Sequence, residues 1–557
     1  MTPHSATPVY RFGPFRLDAA DCRLFRDDAI VDLSPRLVDV LRLLVARPGE
    51  LVTKEQLLET VWPDVIVTDN ALARAISDIR HALGDSPANP VYIQTVTRRG
   101  YRFLGQVHAS TRRPGAPDPR DAGDPRESGE AHETRDARTT PDTRDASEAL
   151  EPYRAWIEGR LQLETLQVAA IPGAVASFER AVALAPQDAL ARAGLANARF
   201  MQFEMTRGEN QPAYALLQQA LADARAACGL DPSLGEAWAT LSFVLVSTGE
   251  SAEAAAAARR AIALQPGNWR HEFRLAHATW GEERLRAVDR TLGLFADFAF
   301  AHFVGAMVHI ARRSFQAADA LLRRGVAIQD RQAGRPATFP ATGLHWLAGL
   351  VCLAQAQTPK PVPGQASEHA QSQAQGRAQE HAQPLANQQA QEKALAHFEQ
   401  ECRGEHGGVL YAIEFAVNAW DAIGWVRLER GDHEGALAAF REALARMPSH
   451  ARSRLGERLA LERLGRHDEA GRAASSVTQC LAQLTQGRRV SEAAIVSAAD
   501  LAACGQIDAA ATMLERLLVS APPGFAGWTI PVEPLLAPLH GTAAFDRVLA
   551  ILAERAA

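Results

Sequence analysis

Apolar and polar residues alternate along "VYRFGPFRL", "CRLF" and "AIVDL", between Val9 and Leu33. A period of two puts every second side chain on one face, which predicts a small antiparallel meander. At Ser34 the period changes. Leu37, Val40, Leu41, Leu44 and Val45 keep helical spacing, with Ser34 placed to cap and Pro35 at the first helical position. The pattern stops at Pro48-Gly49. A second helix is predicted from Thr53, with Gln56 three residues on as a capping box, carrying Leu57, Leu58 and Val61. A third, "TDNALARAISDIRHALGD", is capped by Thr68 or Asp69 and ended by Gly84. The alternation then returns in "VYIQTVTRRGYRFLGQV", a hairpin.

After this unit, set at residues 8–107, the pattern is lost. Residues 108–149 are Pro, Gly, Asp and Arg with almost no apolar side chains. Such a stretch buries too little surface to offset the entropy of ordering, so a disordered linker is expected, spanning on the order of 35 Å. From residue 150 onward an Ala/Leu-rich helical pattern repeats. Pro232 and Pro266 are 34 residues apart, the tetratricopeptide period. Trp238, Leu241, Gly249, Ala254, Ala261 and Pro266 occupy that repeat's places, and Trp420, Gly424, Gly431, Ala436, Phe440, Ala443 and Pro448 do so again. Small residues at these positions let paired helices approach, and the aromatic ones fill the gaps.

Helix pairs of this kind are expected over 150–356 and 392–557, the latter closing with a cap, "PLLAPLHGTAAFDRVLAIL". A disordered Gln/Ala/Pro-rich insertion over 357–391 is expected to split one repeat, with Trp346 in its first helix and Ala394 and Phe398 in its second. The fold class is therefore mainly α: an N-terminal α+β winged helix-turn-helix domain, then an α-solenoid of tetratricopeptide-like helix pairs.

Composition narrows the function. A net charge of -6 over 557 residues rules out a globally basic nucleic-acid binder, so any basic site is local. Residues 1–108 hold thirteen Lys+Arg and thirteen Asp+Glu. Between residues 70 and 108, however, Arg74, Arg80, Arg98, Arg99 and Arg102 oppose only Asp78 and Asp85. The six cysteines form no Cys-x-x-Cys pair, no signal peptide is visible, and "LFADFAFAHFVGAMVHIA" reads as buried helix because it contains Asp297, His302 and His309. The expected address is the cytoplasm, without membrane attachment. No phosphate-binding Gly loop, metal-ligand spacing, nucleophile elbow or placed carboxylate pair occurs. The expectation is a protein that is not an enzyme, with no cofactor and no metal.

The third helix carries the candidate chemistry. Leu72, Ile76, Ile79 and Leu83 fall on one face, and Asn70, Arg74, Ser77 and His81 on the other. An amide, a guanidinium, a hydroxyl and an imidazole are groups that read base edges in a major groove. With the preceding helix and turn they make a helix-turn-helix, and the hairpin stands beside it as a wing with Arg98 and Arg99 at its tip. A wing reaches the minor groove or phosphates, where arginine is favoured. Arg80 and Arg102 are further candidates, facing either phosphate or the domain's own interior.

The order of meander, three helices and wing, with "Ser-Pro" opening the first helix, "ISDIRHALGD" closing the third, and "TVTRRGYRF", resembles the OmpR/PhoB-type winged-helix DNA-binding domain over about residues 8–107. Within that family it looks like the CadC/ToxR/HilA-like branch, where the domain is N-terminal. The resemblance implies double-stranded DNA as partner, a recognition helix over Asp69–Leu83, a wing over Val91–Leu104, and transcription regulation. It also implies that the loop from Trp62 through Asp64 and Val65 is where some members touch RNA polymerase. Family members often occupy repeated half-sites, which implies a dimer on DNA. In the wing the family often reads Thr-Val-Arg-Gly-x-Gly-Tyr; here Thr97 and Arg98 stand at the Arg and first Gly places. Two function classes follow: a one-component regulator whose solenoid senses or recruits a protein or peptide, and a scaffold whose winged helix serves protein contact.

Overall fold

The computed structural model describes residues 8–18, 23–27, 29–31, 33, 35–53, 56–57, 69–86, 90–96, 99–111, 143–207, 212–335, 337–357, 371–404, 408–522 and 524–557. They divide into two compact units, Met1–Asp145 and Ala146–Ala557.

The first unit opens with strands β1 (Pro8–Phe12), β2 (Phe15–Asp18), β3 (Arg23–Arg26) and β4 (Ala29–Val31), paired antiparallel in sequence order. Helix α1 (Pro35–Val45) follows, then β5 (Leu51–Thr53), helix α2 (Asp69–Leu83), β6 (Ile93–Val96) and β7 (Gly100–Phe103). Strands β5, β7 and β6 form a second, three-stranded antiparallel sheet in that order. The alternation seen in the sequence is the core: Phe12, Phe15, Leu17 and Leu24 from the meander meet Val40, Leu41 and Leu44 of α1 and Leu72, Ile76 and Ile79 of α2. Phe12 and Phe103 stack edge-on with ring centroids 5.1 Å apart, which ties meander to hairpin. Thr53 and Gln56 exchange the reciprocal capping bonds, at 3.0 and 3.1 Å.

The structure differs from the sequence expectation at both ends of the 108–149 segment. His108–Thr111 form strand β8, antiparallel to β1, and Thr143–Glu164 form helix α3. The open edge of β1 offers unpaired backbone groups, and pairing with them demands no apolar side chains. Residues 112–142 lie outside the described residues.

The second unit is a run of helix pairs. Helix α3 lies beside α4 (Ile171–Leu184), where Ser177 Oγ donates to Glu158; α5 (Ala189–Thr206) pairs with α6 (Tyr214–Leu230), and α7 (Gly235–Thr248) with α8 (Ser251–Leu264). Then come α9 (Trp269–Ala278) with α10 (Gly281–Leu294), α11 (Ala299–Ala311) with α12 (Phe315–Gln332), and α13 (Leu344–Gln357) with α14 (Gln371–Arg403). The array ends with α15 (Ala412–Glu429) and α16 (His433–Arg446), α17 (Ala451–Arg463) and α18 (His467–Gln486), α19 (Val490–Ala503) and α20 (Ile507–Ser520), and a closing helix α21 (Ala543–Arg555). Glycine against phenylalanine sets the spacing inside pairs. A Cβ on Gly424 would stand 2.4 Å from the Phe440 ring, one on Gly349 2.4 Å from Phe398, and one on Gly159 2.7 Å from Phe178, while Gly194 of the next pair meets the same Phe178 ring at 2.2 Å. The first helices of successive pairs, from α5 to α19, also touch one another and form the inner layer. Among the described residues no helix is long and apolar enough to cross a membrane.

Two features were not anticipated. Residues 371–391, expected to be disordered, are helical within α14, and 358–370 lie outside the described residues. Ala and Gln are good helix formers, and Ala394, Phe398 and Cys402 are buried in the core. A helix anchored at one end extends at the cost of only one residue per hydrogen bond. Second, the inner groove is partly filled by the chain itself. The strap Gly524–Leu539 lies against α11, α13, α15 and α19, with Ile530, Leu535 and Leu536 buried. Trp528 packs against Phe303 of α11, and both Glu533 oxygens accept from Arg452 Nη1 of α17, at 2.7 and 2.6 Å. The array also closes on itself. Val168 N donates to Gly408 O (2.8 Å) and Leu410 N to Leu166 O (2.7 Å), while Tyr214 Oη donates to Gly487 O across the unit.

Candidate nucleic-acid interface

The interface begins with how α2 is held. Its inward residues Leu72, Ala75, Ile76, Ile79 and Leu83 are all buried, and on the other side Ser77 is exposed. Asn70, Arg74 and His81 are on the same helix, but their side chains lie outside the described residues. The helix therefore presents a polar face fixed by its apolar one, as its 3.6-residue period requires.

Arg80, for which the sequence left both phosphate and the domain's own interior open, is 9 % exposed and turned inward. Its Nη2 donates to Ile93 O at 2.7 Å and to Thr95 Oγ1 at 2.8 Å, and its Nε to Ile93 O at 3.3 Å. A guanidinium buried beside β6 must place its donors on protein acceptors, because leaving them unpaired would cost several kcal/mol, on the order of 3. Arg80 thus bolts α2 to the first strand of the hairpin.

Asp85, which the sequence reading treated only as a charge, is the second bolt. Its Oδ1 accepts from Val91 N (2.6 Å) and Ser86 N (3.1 Å), and its Oδ2 from Tyr92 N (3.2 Å) and Ile93 N (2.8 Å). One carboxylate satisfies the amides where the chain turns from helix to hairpin. A short acidic side chain directly after a helix-terminating glycine is the signal that could have revealed it. Helix and wing are consequently one rigid body, locked at both Arg80 and Asp85.

At the far end of the hairpin, Arg99 N donates to Val96 O at 3.0 Å and closes the turn, with the Arg99 side chain exposed. Arg98 and Thr97 lie outside the described residues, as do Trp62, Asp64 and Val65. Arg102 is half-buried and pairs in register with Gln94 on one side and Leu51 on the other, between the buried Tyr101 and Phe103. Gly100 serves more than the turn. It has φ +155°, and a Cβ there would meet Val52 O at 2.1 Å. Only glycine lets β7 approach β5 this closely. Of the cations counted in the sequence, Arg99 at the tip is the one the structure places in the open on this hairpin among the described residues.

Residues 28–103 match the family model described as transcriptional regulatory protein, C terminal. The transcriptional activator CadC of Escherichia coli K12 is 34% identical over 101 residues, 18% of this chain and 20% of that protein. The cholera toxin transcriptional activator of Vibrio cholerae is 35% identical over 82 residues, 14% of this chain and 28% of that protein. HilA of Salmonella typhimurium is 35% identical over 99 residues, 18% and 17% respectively. The matched stretch thus spans between a sixth and somewhat over a quarter of these relatives. Among solved structures, the DNA-binding domain of E. coli CadC is 32% identical and covers 18% of this chain and 97% of that one, with a TM-score of 0.17. YrrB, a TPR protein with an unusual peptide-binding site, is 18% identical over 34% of this chain and 92% of that one, with a TM-score of 0.24. The N-terminal unit is a domain of the OmpR/PhoB type, with homologues among transcriptional activators.

Proposed function

We propose that this chain is a one-component transcription regulator, located in the cytoplasm, whose N-terminal unit reads double-stranded DNA and whose solenoid receives the signal. The observation that carries the reading is the locked head. Arg80 and Asp85 hold helix and hairpin in one fixed relation, which suits insertion of α2 into a major groove with the wing on the neighbouring phosphates or minor groove. In this reading Asn70, Arg74, Ser77 and His81 face base edges, and Arg98 and Arg99 face the backbone or minor groove. The relatives' printed roles as transcriptional activators support the same assignment. Contact of the Trp62–Asp64–Val65 loop with RNA polymerase and a dimer on DNA belong to this proposal.

The test is genome-wide DNA capture with the full chain, followed by titration of the enriched duplex against a scrambled one over a salt series. A regulator gives enriched sites, a gap between operator and scrambled duplex, and affinity that falls steeply with salt. Absence of enrichment together with salt-independent binding would transfer the assignment to a scaffold whose winged helix contacts protein.

A further inference from the structure

The strap fills the inner groove along α11 to α19 and leaves the first part, lined by α5, α7 and α9, to other use. There α9 carries two polar side chains one helical turn apart, Arg274 and His277, both set against Phe243 of α7. The Arg274 guanidinium lies 3.5 Å from the centre of the Phe243 ring, and the His277 ring is 5.4 Å from the same ring. Phe243 in turn packs on Phe200 at 4.6 Å, so the two polar groups share an aromatic floor. Phe273, from the same helix, borders the His277 ring at 6.3 Å.

What distinguishes this place from the rest of the groove is that its arginine touches no carboxylate: the negative charge that acts on Arg274 is that of Glu236 on α7, which lies against His271 Nε2 at 3.6 Å. Elsewhere the inner arginines are paired: Arg270 with Glu164 (2.7 Å), Arg207 with Glu414 (3.2 Å) and Arg452 with Glu533. Arg274 makes no hydrogen bond or ion pair among the described residues, and His277 Nδ1 is buried with no partner. Arg284, fully buried, spends its donors on the carbonyls of Ala276, His277 and Thr279 and has no carboxylate either. Burial first, then the charges of Arg284, Arg274 and Arg207, push the His277 imidazole down to about 3. The charges acting on that imidazole are all positive, and it stays neutral, free to donate or accept. A stacked guanidinium with unused donors, an imidazole beside it and an apolar floor form a receptor for one negative charge attached to a flat or apolar body.

Resting on the reading that the solenoid is the input half of the regulator, we propose that Arg274, His277 and Phe243 bind a small organic carboxylate with an apolar or aromatic body. The carboxylate sits on Arg274 and His277, and the body lies along Phe243 and Phe273. A small acid fits better than an extended peptide because the opposite wall is closed by the chain itself. Tyr411 donates there to Glu204 at 2.7 Å and underlies Arg207 at 5.3 Å, and the 408–411 loop is bonded to residues 166–168.

The experiment is calorimetric titration of the full chain, without DNA, using phenylacetate, benzoate, the neutral phenylacetamide, inorganic phosphate and a short acidic peptide. The expected result is binding of the aromatic carboxylates and none of the amide. Arg274→Gln should weaken phenylacetate by about tenfold or more, the loss of one charge-assisted hydrogen bond, with the melting temperature unchanged. If Arg274→Gln does not fold, His277→Gln supplies the same comparison, and Arg225→Gln, exposed on α6, is the control. Equal binding of acid and amide, no binding of any carboxylate at millimolar concentration, binding of the peptide alone, or full affinity in both variants would overturn the site. Operator binding is scored separately, so failure of the DNA reading leaves this result standing and the reverse also holds.

Discussion

At the scale of single residues, three arginines alike in the sequence have three separate fates. Arg80 is spent on Ile93 and Thr95, Arg274 is stacked but unpaired, and Arg99 is in the open. Arg80→Ala should therefore lower the stability of the N-terminal unit by about 2–3 kcal/mol and weaken DNA binding with the salt slope unchanged. Arg99→Ala should leave stability alone and reduce the salt slope by about 0.9, the release of one counterion. Binding titrations over a salt series, read beside thermal melts, separate the two; identical behaviour of the variants would contradict the interface. Asp421 gives a second residue-scale prediction. Burial lifts its carboxyl to about 7, against the lowering pull of the Ser453 hydroxyl at 2.8 Å. Between about pH 4 and 7 the folded chain keeps a proton that the unfolded chain has lost, so this group's contribution falls as pH rises through that window and is level above it. The melting temperature of Asp421→Asn minus that of the parent should rise from pH 4 to 7 and then flatten. A difference independent of pH would mean the carboxyl titrates normally.

At the scale of elements, the period of the apolar residues was enough to place the first and third of the three helices predicted in the N-terminal unit; most of the second lies outside the described residues. The predicted Asp69–Leu83 is the observed helix, and the predicted hairpin is β6 and β7. Periodicity failed where an element is held by something other than its own apolar face. Strand β8 forms because β1 has a free edge, and the first part of α14 forms because Ala and Gln propagate a helix whose later turns are packed. The repeat itself was legible because its glycines and phenylalanines are spaced by contact: Phe440 lies within 2.4 Å of the Cβ positions of both Gly424 and Gly456. Phe440→Ala opens a cavity between two neighbouring pairs. It should cost about 3–5 kcal/mol in denaturant unfolding, with protection from hydrogen exchange lost first over α15 to α17.

At the scale of the molecule, the solenoid is held together by the strap as well as by neighbour-to-neighbour stacking. Trp528 packs against all three hydrophobic clusters of the second unit. Trp528→Ala should cost about 3–5 kcal/mol and broaden the unfolding of that unit, since distant pairs lose their shared contact; a sharp transition at the parent midpoint would show that stacking alone suffices. The sequence by itself determined the local matters: the switch from a period of two to one of 3.6, the Thr53–Gln56 capping box, the turn at Gly100 and the 34-residue repeat. Each depends on residues a few positions apart, or on a unit that recurs. It also marked the face of α2 that turns inward, Leu72, Ile76, Ile79 and Leu83, because that face follows from the helical period. Only the tertiary structure decided which charges are spent and which are left. Arg80 meets Ile93, Tyr411 meets Glu204 and Glu533 meets Arg452 across 13, 207 and 81 residues. No local pattern encodes such pairings: a guanidinium reads the same in a sequence whether a carboxylate arrives beside it or not.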